Sequence, residues 1–208
     1  VVIHAAALKR VEVGIYNPDE MVKTNVLGTA NVIEASRGTG VERCVLVSTD
    51  KAFEPISPYG YTKALAESLF TAAEATRRPS SPHYAGVRYG NVWCSAGSVV
   101  PLWRSVLASG GRPLITDPDC TRFFMLLSEA VNFVLGAVTR MQGGEIFVPN
   151  LPAYKLGDLA CAMMTGRLEF PPDRIGLPEY EKLHESMEKG KCSKDARRMS
   201  IQELRSHL

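Results

Sequence analysis

The chain has 208 residues, of which 45% are hydrophobic and 22% are charged, a composition typical of a soluble globular protein with a sizeable core. Its 24 Lys and Arg residues nearly balance its 22 Asp and Glu residues, so the net charge of +2 argues against nucleic acid or an anionic membrane surface as a partner. The five cysteines are widely spaced, which argues against a disulfide framework or a metal site and favours a reducing, cytoplasmic setting.

The chain begins with a predicted strand and a predicted helix. Val1–Ile3 has the apolar pattern of a buried strand, and the small-residue turn "HAAA" follows it. A helix should begin at Asn17, which can cap it, with Pro18 at the first helical position. The glycines of 38–40 should end this helix.

Two further strands and one helix follow at similar spacing. Residues 44–48 predict a second buried strand, a helix should run from Ser57 to about Ala75, and residues 83–92 predict a third strand. Strands that alternate with helices indicate an α/β fold with a parallel, doubly wound sheet.

The pattern loosens after Asn91. The later predicted elements are a helix over 97–110, a short strand over 112–116, a helix over 128–141 capped by Ser128, a strand over 144–150, and a short helix with a capping box at 200–204. We therefore place the sheet domain at 1–91 and a smaller substrate-side portion at 92–208, with segments of the latter returning to the sheet. No apolar run is long enough to span a bilayer.

Chemistry-bearing side chains cluster after the second strand. The polar group Ser48–Lys51 lies at the carboxyl end of that strand, where α/β sheets bind ligands. Tyr59 and Lys63 lie four residues apart in the next helix and therefore share a face. A lysine ammonium beside a phenol should lower the pKa of the phenol from about 10, so that it can accept a proton while carbon loses hydride to a nicotinamide. A Tyr-x-x-x-Lys pair alone also fits an amphipathic helix with a buried Tyr and a surface Lys.

Several longer stretches carry a family resemblance. They are "HAAALKRV" (4–11), "NPDEMVKTNVLGTANVIEA" (17–35), "VSTDKAFEPISPYGYTKALAE" (47–67), "VRYGNVWCSAGSVVPLW" (87–103), "TDPDCTRFFM" (116–125), "GGEIFVPNLP" (143–152) and "EKLHE" (181–185). Together they resemble the extended short-chain dehydrogenase/reductase family, and within it the polysaccharide-biosynthesis group that contains inverting UDP-N-acetylglucosamine 4,6-dehydratases. The resemblance implies a partial Rossmann-type fold, with 1–91 as the C-terminal part of the dinucleotide-binding domain.

The resemblance also implies a role for each catalytic residue. Tyr59 would deprotonate the C4 hydroxyl of a UDP-sugar as hydride leaves to NADP⁺, and Lys63 would tune Tyr59 and hold the cofactor ribose. Lys51 would remove the C5 proton, and Asp50 would assist loss of the C6 hydroxyl as water. A lysine acting as a base needs a lowered pKa, which burial and nearby Lys9 or Lys63 could provide.

Binding roles follow in the same way. The implied cofactor-binding residues are Lys9, Thr49, Tyr59 and Lys63, and the implied substrate-binding residues are Lys9, Thr49, Asn91 and Ser95. Asn25 matches a helix position with an architectural and proton-relay role, and the alternative is a polar side chain that bonds local backbone. We expect Arg122 to be solvated in a loop and His184 to lie on a helix surface.

The chain also departs from the family pattern. The glycine-rich turn that holds the cofactor pyrophosphate is missing, so we expect an N-terminally incomplete chain whose first strand has an unpaired edge. Ala96 and Pro178 stand where the family has arginines, which should weaken binding of the nucleotide diphosphate.

Three functions remain open at this stage. The first is an NADP-dependent sugar-nucleotide dehydratase that forms a homo-oligomer when full length. The second is a C4 epimerase, which would use Tyr59 but would need no Asp-Lys pair. The third is an inactive relative that binds a partner or a sugar nucleotide.

Overall fold

The computed structural model describes residues 1–164 and 173–208. Contacts within this part of the chain define two compact units. The first unit consists of Val1–Tyr89 and Ser128–Pro149, and the second consists of Gly90–Leu127 and Asn150–Leu208.

The first unit is built on a parallel sheet. Its elements are β1 (Val2–His4), α1 (Val11–Tyr16), α2 (Pro18–Met21), a π-helical segment (Val22–Leu27), α3 (Gly28–Ser36), β2 (Arg43–Thr49), a 3₁₀ turn (Asp50–Ala52), α4 (Pro58–Ala75), β3 (His83–Tyr89), α6 (Leu127–Arg140) and β7 (Ile146–Phe147). The strand order is β1-β2-β3-β7, and every neighbouring pair is parallel. The predicted α/β class with a parallel sheet is confirmed.

Both faces of this sheet are covered by helices. Alternate residues of β2 point to opposite faces, so a strand buried on both sides needs an unbroken apolar run. One face packs against α3 and α4 through Ile33, Cys44, Leu46, Ala66, Phe70, Ala73 and Tyr84. The other face packs against α6 through Val45, Ala85, Val87, Val134, Ala137, Val138 and Met141.

The N-terminal helical region differs from the prediction in three ways. A short helix, α1, precedes Asn17, and the side chain of Asn17 donates to the carbonyl of Val13 at 3.3 Å instead of capping the next helix. The continuous helix predicted from Asn17 contains the π-helical segment in its middle. A π-turn is rare and occurs mostly as a single turn within an α-helix, so apolar spacing alone does not predict it.

Two other boundaries also differ. Helix α6 begins at Leu127, so Ser128 lies inside it and the predicted cap at Ser128 is wrong. The predicted strand over 83–92 ends at Tyr89, because Asn91 and the residue after it pair with a different strand in the second unit. Gly90 lies at this break, and a Cβ there would collide with the side chain of Phe123.

The second unit is a smaller α/β assembly. Its elements are β4 (Asn91–Val92), α5 (Val99–Ala108), β5 (Leu114–Ile115), β6 (Thr121–Met125), β8 (Ala153–Lys155), α7 (Leu156–Met163), β9 (Asp173–Arg174), β10 (Ser186–Glu188), β11 (Lys191–Cys192) and α8 (Ile201–Ser206). Strand β6 pairs in parallel with β4 and antiparallel with β8. Its core centres on Trp103, Phe124 and Tyr154. The predicted capping box of the last helix is confirmed, with Ser200 and Glu203 exchanging hydrogen bonds.

Within residues 1–164 and 173–208, every helix is too short or too polar to cross a bilayer.

Candidate functional site

The carboxyl end of β2 carries a compact polar cluster. The hydroxyl of Thr49 donates to Oδ1 of Asp50 at 2.9 Å, and Nζ of Lys51 donates to the same oxygen at 3.2 Å. The side chain of Asp50 is 1% exposed and that of Lys51 is 22% exposed. A buried carboxylate is tolerated only when donors compensate its charge, and Thr49 and Lys51 are such donors.

The start of α4 lies directly against this cluster. Ser57 caps the helix by accepting a hydrogen bond from the backbone N–H of Gly60 at 3.2 Å, and Pro58 occupies the first helical position, as predicted. A Cβ at Gly60 would collide with the carbonyl oxygen of Lys51 and lie 3.0 Å from Pro55. The absence of a side chain at Gly60 therefore allows the helix to approach the Asp50–Ala52 turn.

The first turn of α4 places Tyr59 next to the Thr49–Lys51 cluster. Burial raises the pKa of Tyr59 to about 12, and the charge of Lys51 and a hydrogen bond with Thr49 oppose this increase. The charge of Asp50 raises the pKa further. The expectation that Lys63 would lower the pKa of Tyr59 is therefore wrong for this arrangement, because the lysine that acts on the phenol is Lys51.

The amine of Lys63 is directed elsewhere. Its Nζ donates to the carbonyl of Val47 in β2 at 2.7 Å. Burial lowers the pKa of Lys63 to about 8, and the charge of Glu67 opposes this decrease. His4, at the end of β1, is also affected: burial, and then the positive charge of Lys63, lower the pKa of its imidazole.

Asn25 connects the loop after β1 to α4. Its Oδ1 accepts from the backbone N–H of Leu8 at 2.8 Å, and its Nδ2 donates to the carbonyl of Leu8 at 2.9 Å and to Oγ1 of Thr62 at 3.0 Å. These bonds join parts of the chain far apart in sequence, so the local-backbone alternative for Asn25 is wrong. The side chain holds the 5–10 loop, which carries Lys9, next to the helix that carries Tyr59.

The π-helical segment is held by a second set of hydrogen bonds. The hydroxyl of Thr29 donates to the carbonyl of Asn25 at 2.6 Å, and the distance from Oγ1 of Thr29 to Nε2 of His4 is 2.9 Å. Because the hydroxyl proton of Thr29 is used on the carbonyl, Nε2 of His4 must be the donor in the second bond. The geometry thus fixes the proton of neutral His4 on Nε2.

The remaining predicted site residues lie in different places. Lys9 is exposed in the loop after β1. Asn91 and Ser95 belong to the second unit, where Asn91 pairs with Phe124 and Ser95 forms part of the turn before α5. Oδ1 of Asn91 is buried and has no hydrogen-bond partner within the described residues.

Two expectations about the second unit are wrong. Arg122 is buried rather than solvated: its guanidinium donates to the carbonyl of Thr121 at 2.8 Å and forms an ion pair with Glu181. His184 lies in an extended bridge rather than on a helix, and its Nδ1 is 2.9 Å from Oγ1 of Thr121.

Sequence reasoning missed one buried ion pair next to the site. Arg88 of β3 donates from Nε to Oε1 of Glu67 at 3.0 Å and from Nη2 to Oε2 at 2.5 Å. The spacing of Lys63 and Glu67, four residues apart, already placed both on one helix face, but nothing in the sequence marks Arg88 as the partner.

The chain is similar in sequence to known proteins. The family described as "Polysaccharide biosynthesis protein" matches residues 1–203. UDP-N-acetylglucosamine 4,6-dehydratase (inverting) of Campylobacter jejuni is 44% identical over 187 residues, which cover 89% of this chain and 55% of the relative. UDP-glucose 4-epimerase of Rickettsia massiliae is 40% identical over 196 residues, covering 92% of this chain and 58% of the relative. The chain thus spans about half the length of these relatives.

Solved structures share the fold. Pen from Bacillus thuringiensis superposes with a TM-score of 0.91 at 32% identity, over 99% of this chain and 74% of that protein. MoeE5, solved in complex with UDP-glucose and NAD, superposes with a TM-score of 0.74 over 100% of this chain and 72% of MoeE5, and its 22% identity supports the fold alone. The predicted Rossmann-type fold and the resemblance to sugar-nucleotide dehydratases are confirmed. The chain belongs to the polysaccharide biosynthesis protein family.

Proposed function

We propose that this chain carries the catalytic residues of an NADP-dependent 4,6-dehydratase acting on a UDP-sugar of the UDP-N-acetylglucosamine class. The observation that carries the proposal is the buried cluster in which Thr49, Asp50 and Lys51 meet Tyr59. The Campylobacter relative that bears this activity supports the choice of substrate class. Asn91 and Ser95 would bind the sugar nucleotide.

The donors of the first unit fit a nicotinamide dinucleotide. The ammonium of Lys63 has three N–H donors and gives one of them to Val47, so it can also serve a ribose hydroxyl. Lys9 and Thr49 would complete this part of the site. When bound, the nicotinamide supplies the acceptor for hydride from C4 and returns the hydride to C6.

Tyr59 would act first, as the base that takes the proton of the C4 hydroxyl. A buried phenol with a pKa of about 12 is a weak acid at neutral pH. The positive charge of Lys51 favours its ionised form. Removal of proton and hydride from C4 leaves a ketone, which acidifies the C5 proton.

Asp50 and Lys51 would carry out the elimination together. The 3.2 Å hydrogen bond between them lets a proton pass from Lys51 to Asp50. This transfer converts the ion pair into a neutral amine and a neutral acid. The amine of Lys51 then takes the proton from C5, and Asp50 gives its proton to the C6 hydroxyl, which leaves as water. When the hydride returns to C6, C5 takes back a proton from Lys51 or Tyr59, the groups that hold the protons removed from the sugar.

The experiment uses the full-length protein with UDP-N-acetylglucosamine and NADP⁺. The expected product is a 4-keto-6-deoxy sugar nucleotide, detected by mass spectrometry as loss of water and by NMR as a new methyl group. Unchanged substrate after prolonged incubation would contradict the proposal and favour a protein that only binds a sugar nucleotide.

A C4 epimerase is the second candidate. The similarity to the Rickettsia epimerase supports it, and Tyr59 alone could supply the proton transfer that epimerisation needs. The Asp50–Lys51 pair weighs against it, since epimerisation keeps the C6 hydroxyl and needs no acid to expel it. The same assay distinguishes the two activities, because an epimerised product keeps the mass of the substrate.

We further infer NADP rather than NAD as the cofactor, a cytoplasmic location and a homo-oligomeric full-length protein. These inferences rest on the family resemblance. Isothermal titration of the full-length protein with each dinucleotide tests the cofactor, and tighter binding of NAD would overturn that inference. Light scattering of the same preparation tests the subunit count.

A further inference from the structure

Helix α4 carries a third buried polar residue behind Tyr59 and Lys63. Tyr59, Lys63 and Glu67 follow each other at intervals of four residues and therefore share one face of the helix. The carboxylate of Glu67 accepts both hydrogen bonds of the Arg88 fork described above, and the two side chains are 8% and 13% exposed, respectively. A bidentate pair of this kind fixes the orientation of both partners.

Arg88 also reaches the turn that follows β2. Its guanidinium carbon lies 5.5 Å from the centre of the Phe53 ring, within the range of a cation–π contact. The backbone N–H of Phe53 in turn donates to the carbonyl of Asp50 at 3.1 Å and ends the 3₁₀ turn. Arg88 therefore contacts both halves of the site: the helix with Tyr59 and the turn with Asp50.

The charges around Lys63 give Glu67 a second role. Glu67 faces Lys63 from its own helix and favours the ammonium form. From β1, His4 faces Lys63, and its imidazole is kept neutral by burial and by the charge of Lys63. From β2, Lys63 meets the uncharged carbonyl of Val47, and from β3 Arg88 is paired with the same carboxylate of Glu67.

We propose that Glu67 and Arg88 are positioning residues of the site: Glu67 is the counterion of the buried Lys63 ammonium, and Arg88 holds Glu67 and the Asp50–Ala52 turn in one geometry. The role of these two residues in catalysis rests on the proposed function. The effect of Glu67 on the Lys63 ammonium does not depend on that function and is tested separately.

The test is a direct titration of Lys63. Full-length protein carrying lysine labelled with carbon-13 at Cε is followed by NMR from neutral to alkaline pH, and the Lys63 signal is assigned by its loss in Lys63→Arg. In Glu67→Gln we expect the midpoint of the Lys63 titration to fall by about 1 pH unit or more, because a nearby opposite charge has been removed.

Glu74→Gln is the matched control. Glu74 lies on the same helix and also bonds to β3, accepting from the backbone N–H of Tyr84 at 2.8 Å and lying 3.1 Å from the ring of His83. It is eleven residues from Lys63, or about 16 Å along the helix axis. An unchanged Lys63 midpoint in Glu67→Gln, or an equal fall in Glu74→Gln, would overturn the proposal.

A second variant keeps the test decisive if Glu67→Gln folds poorly. The single change leaves Arg88 as an uncompensated buried cation, whereas Glu67→Gln combined with Arg88→Met removes both charges. We expect the double variant to regain thermal stability relative to Glu67→Gln while its Lys63 midpoint stays below that of the wild type. A midpoint restored to the wild-type value would contradict the role of Glu67.

Kinetics then connect the pair to catalysis. In Glu67→Gln the alkaline limb of the pH profile of kcat should move to lower pH with the Lys63 midpoint, while Glu74→Gln should keep the wild-type profile. If the pH profile of kcat stays unchanged while the Lys63 midpoint moves, the Glu67–Arg88 pair has no role in catalysis. If the wild-type protein does not dehydrate the substrate, the proposed function fails, and the titration still decides whether Glu67 is the counterion of Lys63.

Discussion

At the residue scale, the chemistry depends on which group the polar end of each side chain contacts. The spacing of Tyr59 and Lys63 correctly places both on the buried face of one helix. It does not reveal that the amine of Lys63 turns to the carbonyl of Val47, or that Lys51 acts on the phenol. A helical face can be predicted from sequence, whereas the direction of a long side chain depends on acceptors contributed by another element.

Removing the phenolic oxygen of Tyr59 should stop the reaction. In Tyr59→Phe we expect kcat to fall by about 10² to 10⁴, the usual contribution of a positioned general base. Tyr61→Phe, on the same helix but 58% exposed, is the control and should keep the wild-type rate. Product formation measured by mass spectrometry checks both. A Tyr59→Phe rate close to wild type would exclude Tyr59 as the base.

Replacing Asp50 should separate the two halves of the reaction. The charge of Asp50 raises the pKa of Tyr59, so Asp50→Asn should leave oxidation at C4 unimpaired. Loss of water should slow by about 10² or more, because the acid that protonates the departing hydroxyl is gone. Reduced nicotinamide should therefore accumulate after mixing with substrate, which absorbance records directly. Equal slowing of both steps would contradict separate roles for Asp50 and Tyr59.

At the element scale, buried strands could be predicted better than irregular helical turns. The apolar runs that become β2 and β3 needed only a buried strand pattern, and Ser57 with Pro58 marked the start of α4. The π-helical segment could not be predicted, since Asn25 and Thr29 stabilise it through bonds to distant residues.

The contact between α4 and the turn after β2 depends on Gly60. Gly60→Ala should lower the free energy of unfolding by about 1 to 3 kcal/mol, because the added methyl group overpacks against the carbonyl of Lys51. Gly28→Ala is the matched control: its Cβ would lie 3.7 Å from the carbonyl of Lys23, an ordinary contact. Denaturant unfolding of both variants checks the difference. Equal stability of the two would show that Gly60 is not needed for close approach.

At the scale of the whole molecule, His4 makes stability depend on pH. Its pKa is lowered in the folded state from 6.5, so the unfolded chain binds its proton more readily. Stability should therefore be lost as pH falls through about 6.5 toward the lower value of the folded state. In His4→Gln, whose amide can still donate to Thr29, this loss should be smaller. Thermal unfolding between pH 7 and pH 5 measures it, at about half-unit steps. Parallel curves for the two proteins would rule out His4 as the source.

The arrangement of the first unit has a consequence for how the protein is made. Its sheet takes β1, β2 and β3 from before residue 90, but β7 and the covering helix α6 come from Ser128–Pro149. While the ribosome is still translating the intervening stretch, the apolar face of Val45 and Val87 has no helix to cover it. During that interval the nascent chain exposes an apolar surface that favours aggregation. A chaperone that binds this surface would protect the chain until α6 has been synthesised.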